Sequence, residues 1–143
     1  MIVLDTNVVS ELMKATPTAA VVAWIGRSDS ADFCTTSITE AEVLNGVLAL
    51  PAGRRRRALE QAADAMFAED FAGRILPFDR RAAPAYAEIV TERDRQGPPI
   101  SQFDAQIGAI TRSVGAVLAT RNVDDFDHCG ISVVNPWESE PES

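Results

Sequence analysis

Short apolar runs alternate with longer amphipathic stretches along the whole chain. Each apolar run is too short to make a helix, so the runs predict buried strands. These strands are predicted at residues 2–4, 33–36, 75–78, 117–120 and 131–134. The stretches between them have helical periodicity, which predicts helices at residues 8–13, 17–25, 38–50, 54–67, 80–95 and 102–113, with one helical turn at 122–126. Strands that alternate with helices form right-handed βαβ units, so the pattern predicts one α/β domain with a parallel sheet covered on both faces.

Small polar residues mark the predicted helix starts. Thr6 and Asn7 are positioned to cap the first helix, and Ser101 the last one. Ser37 with Glu40 three residues later matches a capping box for the helix at 38–50. We expect a single domain over residues 1–137 and an acidic tail over 138–143.

Length and charge narrow the class of protein. At 143 residues the chain is one domain long. Its net charge of −8 argues against a DNA-coating protein or a membrane-surface protein. No apolar run approaches the ~20 residues of a membrane span, and the first residues lack the pattern of a secretory signal. We therefore expect a soluble, cytoplasmic protein.

Two cysteines offer little metal or disulfide chemistry. Cys34 lies in an apolar segment and is predicted to be a small buried residue. His128 and Cys129 are adjacent, but one histidine and two cysteines do not complete a tetrahedral zinc site without carboxylates.

Acidic residues recur where the predicted strands end. Asp5 directly follows the first strand, and Asp104 lies in the first turn of a helix that starts at the same edge of the sheet. Glu42 is one turn inside the helix at 38–50, on a different face from Glu40. Carboxylates that converge at one edge repel one another unless a cation lies between them. An oxygen-only donor set favours Mg²⁺ or Mn²⁺, and the chemistry that fits is phosphodiester hydrolysis.

Each acid also has an ordinary structural interpretation. Asp5 alone is able to cap a helix, and Asp104 alone to complement a helix dipole. Glu42 fits a solvated helix face, and Asp124 and Asp125 fit a solvated turn. Other α/β chemistries lack their motifs: the chain has no phosphate-binding loop, no dinucleotide-binding glycine pattern and no nucleophile elbow.

The acidic segments resemble those of a known family. The resemblance is to PIN-domain toxins of the VapC type and spans nearly the whole chain, with the motifs in order: VLDTNVVSEL at 3–12, SITEAEV at 37–43, ISQFDAQI at 100–107, ATRN at 119–122 and VVNPW at 133–137. The segment AGRILPFD at 72–79 is similar to the branch that includes the FitB toxin.

This resemblance implies a three-layer α/β/α sandwich with a mostly parallel sheet of about five strands. It implies a Mg²⁺- or Mn²⁺-dependent endoribonuclease, the toxin of a type II toxin–antitoxin pair. By position, Asp5, Glu42 and Asp104 become the carboxylates of the metal site. At the fourth acidic position of the family's site this chain differs from the family pattern, because some relatives have Asp where this chain has Asn122. Asn122 offers a neutral oxygen, and Asp125 is the alternative source of negative charge.

The resemblance also implies partners. We expect a homodimer and an antitoxin with a DNA-binding N-terminal part and a basic C-terminal segment that enters the acidic cleft. Thr6 and Thr120 are expected to orient the carboxylates or a water molecule, and Arg121 to contact RNA. Trp24, Phe67 and Trp137 are expected to pack in the core or a dimer interface. Two alternatives stay open: a non-catalytic module whose acidic cleft captures a basic peptide, and a nuclease for structured DNA.

Overall fold

The computed structural model describes residues 1–138. Within them, five strands run over β1 Ile2–Leu4, β2 Phe33–Thr36, β3 Ile75–Leu76, β4 Val117–Ala119 and β5 Ser132–Val134. Six α-helices run over α1 Thr6–Leu12, α2 Ala19–Gly26, α3 Ser37–Leu48, α4 Arg54–Ala65, α5 Ala82–Gln96 and α6 Gln102–Ser113. Tight 3-10 turns occur at Ser30–Asp32, Val123–Phe126 and Pro136–Glu138.

All five strands are parallel, in the order β3-β2-β1-β4-β5. β1 lies in the middle, where Val3 is in register with Cys34 of β2 and Leu118 of β4. Each parallel neighbour needs a crossover, which the intervening helices supply. The predicted α/β fold class is confirmed, and the sheet is entirely rather than mostly parallel.

Two cores lie on opposite faces of this sheet. Successive residues of a strand point to opposite faces, so Val3 packs with α5 and α6 while Leu4 packs with α1, α3 and α4. Phe67 belongs to the second core, and Trp24 and Trp137 pack against it. The predicted packing role of these three aromatic residues is confirmed.

Two helix caps differ from the prediction. The hydroxyl of Thr36, not Ser37, accepts the capping hydrogen bond, from the backbone N–H of Thr39 over 3.0 Å. The capping box of Ser37 with Glu40 is therefore wrong, because the helix cap lies one residue earlier, at Thr36, the last residue of β2. α1 begins at Thr6, and its cap is Asp5 rather than Thr6 or Asn7.

Three further points concern the remaining sequence predictions. In the described part of the chain, no helix is both long enough and apolar enough to cross a membrane. Both cysteines are buried and free. Glu138, the first residue of the predicted tail, ends the last 3-10 turn, and residues 139–143 lie outside the described part.

Candidate active site

The polar residues that follow β1 and β4 meet at the carboxyl edge of the sheet. The backbone N–H of Asp5 donates to the carbonyl of Ala119 over 2.9 Å, and that of Thr120 donates to Val134 over 2.9 Å. These two bonds continue the ladder one residue beyond each strand. Asp5 and Thr120 therefore face each other at the edge where ligands bind in open α/β sheets.

Asp5 is the buried centre of this edge, with 5% of its surface exposed. Its Oδ1 accepts a hydrogen bond from the backbone N–H of Thr6 over 2.8 Å. Its Oδ2 accepts from the Thr120 hydroxyl over 2.7 Å and from the Asn7 side-chain amide over 3.4 Å. Burial, together with the charges of Asp104 and Glu42, raises the pKa of Asp5 to about 6, although the hydrogen bonds from Thr120 and Thr6 lower it.

Glu42 is linked to Asp5 through Thr6, the residue that follows Asp5 in the sequence. The hydroxyl of Thr6 donates to Oε1 of Glu42 over 2.8 Å and lies 3.1 Å from the hydroxyl of the buried Thr39. Because Thr6 begins α1 and Glu42 lies in α3, this bond ties the two helices together at the site. It also fixes one carboxylate oxygen of Glu42 and leaves the other for a ligand.

Asp104 is half-buried in the first turn of α6. The Ser101 hydroxyl caps this helix by accepting from the backbone N–H of Asp104 over 3.1 Å. Burial is the main cause that raises the pKa of Asp104, and the negative charges of Asp125 and Glu42 add to it. Asp5, Glu42 and Asp104, which are far apart in sequence, are thus close enough to repel one another.

A buried arginine lies behind Asp104. Arg93 of α5 is 7% exposed and donates to the backbone carbonyls of Asp125 over 2.7 Å, Asp127 over 3.1 Å and Pro98 over 3.3 Å. Its positive charge lowers the pKa of Asp104. Within residues 1–138 it forms no ion pair with a carboxylate, so its role is to hold the 123–127 turn in place.

Two of the residues that arrange the site were missed by the sequence prediction, and both had a detectable signal. Arg93 lies four residues after the buried Ile89 and therefore on the core-facing side of α5, an unusual position for a charge. Asn7 donates to Asp5 and, over 3.2 Å, to Thr120, and its Oδ1 accepts from the backbone N–H of Arg121 over 3.1 Å. The sequence predicts a capping role for Asn7, and its position two residues after Asp5, at the same edge of the sheet, is the signal for a role at the site.

The candidates for the fourth acidic position, Asn122 and Asp125, are more exposed to solvent than Asp5, Glu42 and Asp104. Asn122 and Asp125 are both exposed. The backbone N–H of Asn122 donates to the Thr120 hydroxyl over 3.1 Å, which fixes the chain there but not the amide side chain. Asp125 interacts electrostatically with the site, because its negative charge raises the pKa of Asp104.

The donor set fits a hard divalent cation. In the part of the chain that the structure describes, no group of three His, Cys, Asp or Glu side chains is arranged so that it could hold a metal ion by itself. Mg²⁺ does not require such a cage, because it binds through one or two carboxylates and keeps several water molecules. Three mutually repelling carboxylates, two of them held by threonine hydroxyls, match that requirement and supply no soft ligand.

Comparison with known proteins identifies the family. The sequence profile of the PIN domain matches residues 2–131. The chain belongs to the PIN-domain family. It is 40% identical over 138 residues to "VapC ribonuclease Y4jK" of Sinorhizobium fredii, which covers 96% of this chain and 99% of that protein. It is 36% identical over 137 residues to "Toxin FitB" of Neisseria gonorrhoeae, with coverage of 96% and 99%.

Solved structures agree with this assignment. A chain in the structure of FitAB bound to the IR36 DNA fragment superimposes with a TM-score of 0.91 at 36% identity, covering all of both chains. A chain of the DNA-bound VapBC from Salmonella typhimurium gives 0.77 at 26% identity, covering 94% of this chain and 97% of that one. The predicted resemblance to VapC-type PIN domains of the FitB branch is confirmed.

A groove leads away from the acidic edge of this PIN domain. It has a volume of about 610 Å³ and lies between α1, α3 and α4; we call it the α1–α3–α4 groove. Glu42 forms part of its wall, and most of the remaining lining is apolar, including Met13, Val43, Val47 and Leu59. Lys14 and Arg55 also line it. The groove therefore connects an apolar surface to one of the three carboxylates.

Proposed function

We propose that this PIN domain is a Mg²⁺- or Mn²⁺-dependent endoribonuclease and the toxin of a type II toxin–antitoxin pair. Its relatives include, besides Y4jK and FitB, the "tRNA(fMet)-specific endonuclease VapC" of Shigella flexneri, 29% identical over 136 residues. The single observation that carries the proposal is the buried Asp5, whose pKa is raised by burial and by the charges of Glu42 and Asp104. An arrangement of this kind is unfavourable for folding alone and is relieved by a divalent cation.

Asp5, Glu42 and Asp104 would hold the metal. When bound, the ion supplies an activated water and neutralises the phosphodiester that this water attacks. Asp5 and Glu42 are held for that task by the hydroxyls of Thr120 and Thr6, which fix one oxygen of each carboxylate. Asp125 adds negative charge beside Asp104, and Asn122 offers a neutral oxygen at the same edge.

We further propose that the toxin is a homodimer whose activity is blocked by an antitoxin with a DNA-binding N-terminal part. The structural relatives are named as FitAB and VapBC complexes with DNA. The α1–α3–α4 groove has the apolar lining that a partner segment requires, and it leads to Glu42. A basic residue on that segment would then enter the acidic edge and take the place of the cation.

Induced expression of the toxin without its antitoxin tests the function. We expect arrested growth and new RNA 5′ ends, with both lost in Asp104→Asn. Asp64→Asn, the same change at an exposed residue of α4, is the matched control and should stay toxic. Asp104→Asn that folds and remains equally toxic would refute the catalytic assignment.

The alternative is a PIN-like binding module that captures a basic peptide without cleaving RNA. Two observations favour it. Asn122 is uncharged at a position where the family resemblance implies Asp in some relatives, and no group of three His, Cys, Asp or Glu side chains within residues 1–138 is arranged to hold a metal ion. Calorimetry with Mn²⁺ on antitoxin-free protein separates the two functions, because absence of binding at millimolar metal would favour the module.

A further inference from the structure

The Arg121 side chain packs over the ring of Trp137 at the edge of the acidic site. Its guanidinium lies 5.1 Å from the centre of the Trp137 ring, within the range of a cation–π contact. Trp137 packs against the core beneath β1, and its backbone N–H donates to Oδ1 of Asn135 over 2.9 Å. The Trp137 ring therefore offers the exposed Arg121 guanidinium a contact surface beside the site.

The backbone of Arg121 is tied directly to the carboxylates. Its N–H donates to Oδ1 of Asn7, whose amide donates to Asp5 and Thr120. Its carbonyl accepts from the Asn135 side chain over 3.5 Å. Within residues 1–138 the guanidinium forms no ion pair, although Asp124, Asp125 and Glu138 line the same cleft, so its donors remain available for an external anion.

A cleft of about 490 Å³ opens beside Arg121. Its other walls are polar and include Asn122, Asp124, Asn135 and Glu138. This volume holds one nucleotide, and the walls combine a cation for a phosphate with acceptors for the amino groups of a base. In a protein with a net charge of −8, the Arg121 guanidinium is the cation that this cleft offers to a phosphate, beside the carboxylates of Asp124, Asp125 and Glu138.

We propose that this cleft is a subsite for a nucleotide flanking the scissile bond of RNA, in which Arg121 contacts the phosphate and Trp137 positions Arg121. The inference rests on the proposed ribonuclease function. Trp137 acts through Arg121: its ring restricts the guanidinium to one region, which lowers the entropy lost when the phosphate binds. Lysine at position 121 keeps the charge but loses the planar fork and its stacking.

The test measures binding of a fluorescent single-stranded RNA of random sequence, with Ca²⁺ in place of Mg²⁺ to prevent cleavage. We expect Arg121→Ala to weaken binding roughly three- to tenfold and to flatten the slope of log K against log salt by about 0.7, the value for one phosphate contact on a single strand. Arg121→Lys should restore the salt slope but only part of the affinity. Arg112→Ala is the matched control, since Arg112 lies in the last turn of α6, about 12 Å along the helix from Asp104. This variant should bind the RNA as the unmodified chain does.

A double-mutant cycle tests the role of Trp137. Trp137→Leu should weaken binding, Trp137→Phe should weaken it less, and Trp137→Leu should have no further effect in the Arg121→Ala background. Full additivity would overturn the positioning role, and an unchanged affinity and salt slope in Arg121→Ala would overturn the subsite. Failure of the unmodified chain to cleave any RNA with Mn²⁺ would instead refute the proposed function, so the two failures are distinguishable.

Discussion

The hydroxyl of Thr120 donates to Oδ2 of Asp5 over 2.7 Å, although 115 residues separate them in the chain. This bond joins the ends of β1 and β4 in the middle of the sheet. Thr120 is fully buried, and it also accepts from Asn7 and from the backbone of Asn122. One hydroxyl thus organises both the carboxylate and the loop that follows β4.

Removal of this hydroxyl should affect both stability and activity. Thr120→Val keeps the shape but leaves the buried Asp5 without its shortest hydrogen bond, so we expect the free energy of unfolding to fall by about 1–3 kcal/mol. The pKa of Asp5 should rise further, because this hydrogen bond lowers it. Urea denaturation and RNA cleavage against pH measure the two effects. Thr120→Ser is the control and should retain most of both.

The raised pKa of Asp5 predicts how metal-free stability depends on pH. The pKa is 3.8 in the unfolded chain and about 6 in the folded protein, so the folded state binds more protons between these values. Stability should therefore decrease as pH rises from about 4 to about 6, by on the order of 3 kcal/mol. Denaturation in EDTA measures this slope. Asp5→Asn should remove most of the decrease, and the raised pKa of Asp104 should account for the remainder. An equal slope in that variant would assign the decrease to other groups.

Glu42 and Glu40 offer a matched pair on α3. Only Glu42 accepts from Thr6 and adds to the negative charge at Asp5 and Asp104. Glu42→Gln should reduce RNA cleavage about 100-fold or more, because loss of a metal ligand of this kind weakens both ion binding and its orientation. Glu40→Gln should cleave within about twofold of the unmodified chain. Equal losses in the two variants would show that the helix, not the Glu42 carboxylate, matters.

Arg93 should be essential for the shape of the site although it contacts no substrate. Arg93→Met removes the donors to the carbonyls of Asp125, Asp127 and Pro98 and leaves these acceptors without the guanidinium. We expect a loss of about 2–4 kcal/mol in stability, measured by urea denaturation. Arg93→Lys should recover part of it. An unchanged stability in Arg93→Met would mean that water replaces the guanidinium.

The fold followed from local patterns in the sequence. Four of the five described strands are short runs followed directly by a polar residue, as Asp5 follows Leu4. The helices between the strands have one apolar face. The cap of α3 was misplaced by one residue because Thr36 and Ser37 are chemically alike, and only the end of β2 decides between them. β3 has two residues, fewer than predicted. Pro77, which follows it, has no N–H to continue the ladder.

The acids of the site were predictable, and the resemblance also pointed to Thr6 and Thr120, whose hydroxyls donate to Glu42 and Asp5. The other supporting residues were not predictable. Asp5 and Asp104 were found because each follows a strand or opens a helix at the same edge. The bond from Thr6 to Glu42 depends on how α1 packs against α3, and the bond from Asn7 to Thr120 depends on the pairing of β1 with β4. No local pattern reports either. Arg93 acts on backbone carbonyls of a distant turn, and such contacts leave no residue-type signature at that turn.

Titration of Mn²⁺ into the antitoxin-free protein, followed by calorimetry, tests most directly whether Asp5, Glu42 and Asp104 share one cation. The unmodified chain should bind Mn²⁺, and Asp104→Asn should bind it at least tenfold more weakly, whereas Asp64→Asn should match the unmodified chain. Equal Mn²⁺ affinity in the unmodified chain and in a folded Asp104→Asn variant would contradict a metal site at this edge of the sheet.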